Sequence, residues 1–195
     1  MKVVVIRYGA GNIQSVLFAL QRVGVIPVLS SNVDEISSAD KVIFPGVGEA
    51  SSTMKELKAS GLDKTIVSLK QSVLGICLGL QLMCKHSEEG NVDCLGIFDL
   101  KVKKFAAHDE LKVPHVGWDN IQNLKGPLFK GVKEESFVYY VHSFYAELGK
   151  ETAATTNYIN PFSASLVKDN FYAAQFHPEK SGAVGEAIIK NFIEL

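Results

Sequence analysis

The sequence predicts an α/β protein with a central, mostly parallel sheet flanked by helices and additional antiparallel strands. Two observations carry that expectation. Apolar, β-branched runs, of the kind that parallel strands buried on both faces require, alternate with helical patterns through roughly the first 90 residues. From Cys94 to about Phe176 the pattern changes to short alternating runs with few helical stretches, which suits antiparallel strands. With 195 residues, 47% of them hydrophobic, the chain is long enough for a substantial core and short enough for a single domain over 1–195.

The elements follow in order. "KVVVI" (2–6) is a continuous β-branched run; after the turn "RYGAGN", Ile13, Val16, Leu17, Leu20 and Val23 share one helical face. "IPVLS" (26–30) reads as a second strand and "KVIF" (41–44) as a third, ending in the loop "PGVG" (45–48). A polar helical stretch around 51–71 leads to a fourth strand, "VLGI" (73–76). Beyond Cys94, "FVYYV" (137–141), "ASLV" (164–167) and "FYAAQF" (171–176) are strand-like. Ser181 offers an N-cap hydroxyl to a closing helix whose Val184, Ala187, Ile188 and Phe192 lie on one face. No repeat, linker or low-complexity segment interrupts this order.

Charge and cysteine content exclude several classes. Twenty basic against twenty-one acidic residues give a net charge of -1, and the longest basic run, "KVKK" (101–104), alternates across a strand, which argues against a nucleic-acid-binding surface. The apolar run at the start is too short for a secretory signal, and no window approaches the roughly 18 apolar residues of a membrane span, so a cytoplasmic protein is expected. Cys77, Cys84 and Cys94 cannot all pair and lie in no CxxC spacing, so reduced thiols are expected, with neither a disulfide framework nor a zinc site.

One cysteine stands at a chemically useful place. In "GICLGLQ" (75–81) a parallel strand ends at Ile76 and a helix begins at Leu78, which sets Cys77 on a sharp corner, with small Gly75 and Gly79 where neighbouring backbone must pass. A thiol there feels the positive end of the helix, and Leu78 N–H points where an oxyanion would form. A thiolate needs a base, and His177 in "QFHPEKS" follows a strand-like run with Glu179 two residues on. In extended chain both face one way, so the carboxylate can orient the imidazole. His86 and His108 fall in polar stretches, while His115 and His142 sit in apolar contexts without an acid two residues on, and structural roles suit them. "FPGVG" (44–48) ends a strand in a loop able to present N–H groups to a negative oxygen. "GAGN" lacks the third glycine of a dinucleotide fingerprint, since Gln14 stands there.

The elbow "GICLGLQ", the loop "PGVG" and the late "QFHPEKS", in that order, resemble the class I (triad) glutamine amidotransferases, whose sheet is flavodoxin-like. "YGAGNIQSV" (8–16), "PHVGW" (114–118), "YYVHSFY" (139–145) and "PFSASL" (161–166) extend the resemblance over nearly the whole chain. They look like the branch that supplies ammonia to the cyclase subunit of imidazole glycerol phosphate synthase in histidine biosynthesis. The resemblance implies Cys77 as nucleophile, His177 as proton shuttle and Glu179 as its orienter, with Leu78, Val47 and Gly48 around the oxyanion. It places Gln81, Glu89 and the segment His142, Ser143 and Phe144 against L-glutamine, and Trp118, Tyr140, Lys180 and Asn12 at the partner interface. It implies no cofactor and no metal, and a heterodimer with the cyclase subunit, since one domain leaves no room for a synthase. Arg7, where an acid is common, Asp119, where asparagine is usual, and Ala174, where glycine precedes "QFHPEKS", depart from the family pattern. The alternatives are a glutaminase serving another synthase, a cysteine peptidase or chaperone, which commonly has histidine where Leu78 stands, and a binding module without catalysis.

Overall fold

The computed structural model describes residues 1–9, 13–46, 48–106 and 110–195. The first half alternates as expected: β1 (Val3–Ile6), α1 (Gln14–Arg22), β2 (Val28–Ser30), α2 (Val33–Ser37), β3 (Lys41–Phe44), α3 (Ala50–Ser60), α4 (Leu62–Ser68), β4 (Ser72–Ile76) and α5 (Leu78–Met83). Short strands follow: β5 (His86–Ser87), β6 (Val92–Asp93), β7 (Lys101–Lys104), β8 (His115–Ile121), β9 (Ser136–His142), β10 (Phe144–Ala146), β11 (Thr152–Asn157), β12 (Pro161–Lys168) and β13 (Phe171–Ala174), before the closing helix α6 (Gly182–Ile193).

The central sheet has seven strands in the order β11-β12-β13-β4-β3-β1-β2. Strands β1, β2, β3, β4 and β13 run parallel, while β11 and β12 extend the edge antiparallel. Because the parallel strands are covered on both faces, their apolar runs divide between two cores. Val4, Ile6, Val42, Phe44 and Val73 meet α3, α4 and α5 through Met54, Leu57, Ile66 and Leu80 on one side. Val3, Val5, Ile43, Leu74 and Ile76 meet α1 and α6 through Val16, Leu20, Ile188 and Phe192 on the other. A four-stranded sheet (β10-β7-β5-β6) and the hairpin β8-β9 complete the molecule.

Three local expectations change. The helical stretch at 51–71 is two helices, because Gly61 adopts φ 75° and ends the first of them. A short helix, α2, arises where the Asn32 side chain accepts from Glu35 N–H. Ser181 does not cap α6 with its side chain. Its hydroxyl instead donates to the His177 carbonyl at 2.6 Å and accepts from Tyr139 N–H at 3.0 Å, a tertiary bond that outcompetes a local one. Among the described residues, no helix is long and apolar enough to cross a membrane.

Candidate active site

Cys77 stands between β4 and α5 with φ 53° and ψ -109°, a conformation that costs a non-glycine residue energy and is kept only where the surroundings enforce it. Here they do. A Cβ on Gly79 would be driven into the Phe44 carbonyl, and one on Gly46 into the Gly79 amide and the Leu78 side chain. A Cβ on Gly75 would sit 2.8 Å from Met83 Sδ and 3.0 Å from the Gly79 carbonyl carbon. The expected small residues at 75 and 79 are therefore demanded by packing, and Gly46 joins them by its close approach to Leu78 and Gly79.

Strand register brings the second group to the thiol. β13 lies parallel to β4 with Ala174 beside Ile76, and Cys77 N–H donates to the Ala174 carbonyl at 2.8 Å. The two chains leave the sheet side by side, one into Cys77 and the other into His177. His177 is pinned by its own N–H donating to the Tyr139 carbonyl at 2.9 Å. Residues Pro178–Lys180 form a 3₁₀ turn rather than extended chain. The side chains of His177 and Glu179 still meet, with Nδ1 2.7 Å from Glu179 Oε1 and both almost wholly buried. His177 Nε2 and Glu179 Oε2 have no hydrogen-bond partner among the described residues. Burial alone would push the imidazole down, but the neighbouring Cys77 sulfur and the Glu179 carboxylate outweigh it and hold His177 up at about 10.

These groups open into a pocket of about 380 Å³ lined by Gly46, Gly48, Cys77, Leu78, Gln81, Glu89, Pro114, Val141, His142, Ser143, Phe144, His177 and Lys180. Gln81, one helical turn beyond Cys77, donates through Nε2 to the Phe144 carbonyl at 2.8 Å and to Gln175 Oε1 at 3.1 Å. Glu89 accepts from Ala50 N–H at 2.9 Å, and burial raises its carboxyl above the ordinary value. His142 donates from Nδ1 to the same Phe144 carbonyl at 2.8 Å, and burial pushes it down to about 3, so it is neutral. Gly48, at φ 120°, is at the mouth. Asn12, Val47 and His108 lie outside the described residues.

Tyr140 departs from expectation: it is 0% exposed, with its hydroxyl 2.7 Å from Thr156 Oγ1, and so cannot meet a partner. Side chains alternate along β9, and the face that carries Val138 and Tyr140 turns to the core. The outward face carries Phe137, Tyr139 and Val141, opposite Asn120, Trp118 and Val116 of β8. Trp118 is 55% exposed and meets Tyr139 edge-on at 6.0 Å, while Lys180 Nζ lies 5.9 Å over the Tyr139 ring. The apolar patch is real, and Tyr139 replaces Tyr140 in it.

Comparison with known proteins matches the chain to the family "Glutamine amidotransferase class-I" over residues 4–195. The chain is a class I glutamine amidotransferase. The imidazole glycerol phosphate synthase subunit HisH of Bacteroides fragilis (strain YCH46) is 64% identical, with both chains covered in full. The subunit of the same name from Shewanella loihica is 44% identical over 98% of this chain and 90% of that one. The solved structure of PurLQS from Thermotoga maritima shares the fold at a TM-score of 0.74 and 15% identity, covering 99% of this chain and 97% of the other.

Other residues of this amidotransferase's site escaped sequence reading. Gln175 is fully buried and donates from Nε2 toward Cys77 Sγ at 3.7 Å. Ser181 fastens the His177 carbonyl to β9. Both lie in "QFHPEKS", yet only the fold shows what they touch. Among the described residues, no group of three or more His, Cys, Asp or Glu is placed to hold a metal ion.

Proposed function

We propose that the chain hydrolyses L-glutamine to glutamate and ammonia through a thioester on Cys77, as one domain over 1–195. The observation that carries this reading is the convergence of a strained elbow cysteine with a buried His177–Glu179 pair on one pocket. Cys77 Sγ attacks the carboxamide carbon as a thiolate, with His177 holding the thiol's proton. The tetrahedral oxygen is stabilised by Leu78 N–H and by the loop around Val47 and Gly48. His177 then protonates the departing ammonia, and water, activated by the same imidazole, opens the thioester. Glu179 keeps the Nε2 of His177 toward the sulfur. Gln81 and Glu89 hold the substrate's α-amino end, and the segment from His142 to Phe144 forms the wall against it.

The names of the relatives favour the glutaminase of imidazole glycerol phosphate synthase in histidine biosynthesis over a glutaminase for another synthase. Ammonia then passes to the cyclase subunit (HisF) in a cytoplasmic heterodimer, forming imidazole glycerol phosphate and AICAR. The face bearing Trp118, Tyr139 and Phe137, with Lys180 at the pocket edge, is the docking surface. The test is glutamate release by the chain with its cyclase subunit, paired with labelling by a diazo-ketone analogue of glutamine. Mass spectrometry should place the label on Cys77; a label elsewhere, or hydrolysis undiminished in Cys77→Ala, would defeat the assignment.

A further inference from the structure

Where β4 and β13 leave the sheet together, a third side chain reaches the nucleophile. Gln175 follows Ala174, the partner of Ile76 in the register, so it stands beside Cys77 as the two chains turn out. Its side chain is fully buried, and its Nε2 donates to Cys77 Sγ at 3.7 Å. Its Oε1 accepts from Gln81 Nε2 at 3.1 Å, and the same Gln81 nitrogen donates to the Phe144 carbonyl of the pocket wall at 2.8 Å. Gln81 N–H in turn donates to the Cys77 carbonyl at 3.2 Å. Side chains and main chain thus close a ring of hydrogen bonds around the first turn of α5.

The pocket wall fixes the direction of the side-chain bonds. A carbonyl only accepts, so the Gln81 atom that faces Phe144 is Nε2. That nitrogen also faces Gln175, whose near atom is therefore Oε1, and this leaves the Gln175 Nε2 toward the sulfur. A flipped Gln175 amide would set N–H against N–H at Gln81 and turn an oxygen on Sγ. The contact of Sγ with the Val141 carbonyl, at 4.0 Å, has the opposite sense: a carbonyl takes the S–H of a neutral thiol and opposes a charged sulfur. An N–H aimed at sulfur favours the charged form, and that form attacks a carboxamide. With both Nε2 protons engaged, Gln81 has only Oε1 to offer a ligand, and an acceptor suits an ammonium group.

We infer that Gln175 is a further catalytic residue: one buried amide donates to the nucleophilic sulfur and locks Gln81 with its acceptor free for the substrate's amino end. The two tasks need the two ends of an amide, since the sulfur takes a proton donor and Gln81 takes an acceptor. The inference rests on the pocket being the glutamine site, and its test keeps the two ideas separable.

Two variants of the full chain separate the tasks. Gln175→Met keeps the length of the side chain and removes both hydrogen bonds, whereas Gln175→Glu keeps an oxygen for Gln81. Alkylation of Cys77 by iodoacetamide at neutral pH, located by mass spectrometry, needs no substrate. It should be about tenfold slower or more in Gln175→Met, because losing the N–H leaves less of the reactive sulfur. With the cyclase subunit present, kcat of Gln175→Met should fall about 10- to 100-fold, the size expected when a reacting group loses its placement. Its KM for glutamine should rise about tenfold through the released Gln81, while that of Gln175→Glu stays within about threefold. Alkylation of Gln175→Met at the unmodified rate, or one KM shared by the two variants, overturns the inference. Should the methionine variant fail to fold, side-chain ¹H–¹⁵N spectra decide it: in Cys77→Ala the Gln175 amide proton that faced the sulfur should move upfield, and unmoved Gln175 resonances overturn the inference. Failure of the unmodified chain and its cyclase subunit to hydrolyse glutamine would instead refute the pocket's reading and leave the alkylation rates interpretable.

Discussion

The elbow is held shut by glycines, and Gly75→Ala measures how tightly. A Cβ at this position would lie 2.8 Å from Met83 Sδ, 3.0 Å from the Gly79 carbonyl carbon and 3.1 Å from its oxygen. Ordinary carbon contacts are about 3.5–4.0 Å, so the first turn of α5 must retreat from β4 by about 0.5 Å or more. Met83 can yield by changing rotamer, but the Gly79 backbone cannot move without carrying Leu78 and Cys77. Catalytic groups need to be held within about 0.5 Å of their productive geometry, so kcat should fall about 10- to 100-fold. Two effects compete in stability: replacing glycine inside a strand is worth about 0.5–1 kcal/mol, whereas overpacking a tight site costs about 1–3 kcal/mol. The net is about 0–2.5 kcal/mol destabilising, so activity should fall much further than the folded population. Gly79→Ala should be harsher, because its Cβ meets the Phe44 carbonyl rather than a flexible side chain. The assay is glutamine turnover with the cyclase subunit present, beside thermal melts of both variants. A folded Gly75→Ala with unreduced kcat would refute the argument that glycine is required by close approach.

The remaining predictions concern charge and surface. Cys77→Ala should be folded and without glutaminase activity; His177→Asn should be equally inactive, and Glu179→Gln should keep more activity than either, since orienting an imidazole matters less than supplying it. Because His177 is raised from 6.5 to about 10, its stabilising contribution is complete below about 6.5 and is lost as pH climbs through about 10. The melting temperature should thus fall more steeply between those pH values than in His177→Asn, and parallel slopes would contradict it. Trp118→Ala should weaken cyclase-subunit binding about tenfold or more in calorimetry while leaving the isolated chain's glutamine hydrolysis unchanged, as for an exposed aromatic anchor. Tyr140→Phe should leave that affinity alone and cost about 1 kcal/mol of stability through the lost Thr156 bond.

Much of the architecture followed from short-range pattern. Runs such as "KVVVI" and "KVIF", apolar at nearly every position, suit only strands covered on both faces, and the structure covers them so. Gly75, Gly79 and the apolar run before them located Cys77, because a corner that tight admits few residue types. The proximity of His177 to Glu179 was legible from their spacing, although a 3₁₀ turn rather than extended chain brings them together.

Tertiary structure decided what local pattern leaves symmetric. "FVYYV" is apolar on both faces of its strand, so alternation says that Tyr139 and Tyr140 point opposite ways without saying which points inward; the core beneath β9 took Tyr140. Gln175 and Ser181 were invisible as site residues because their partners, Cys77 and Tyr139, come from distant strands. His115 and His142, which sequence left as isolated structural histidines, touch because the register of β8 on β9 sets them opposite each other. Sequence by itself marked the strands β1, β3, β4, β9, β12 and β13 and where the nucleophile turns, since those depend on neighbours within a few residues, but not β5, β6, β8, β10 or β11. Which side chains meet across the sheet depended on register and on the single face each strand can turn to the core, and those are properties of the assembled fold.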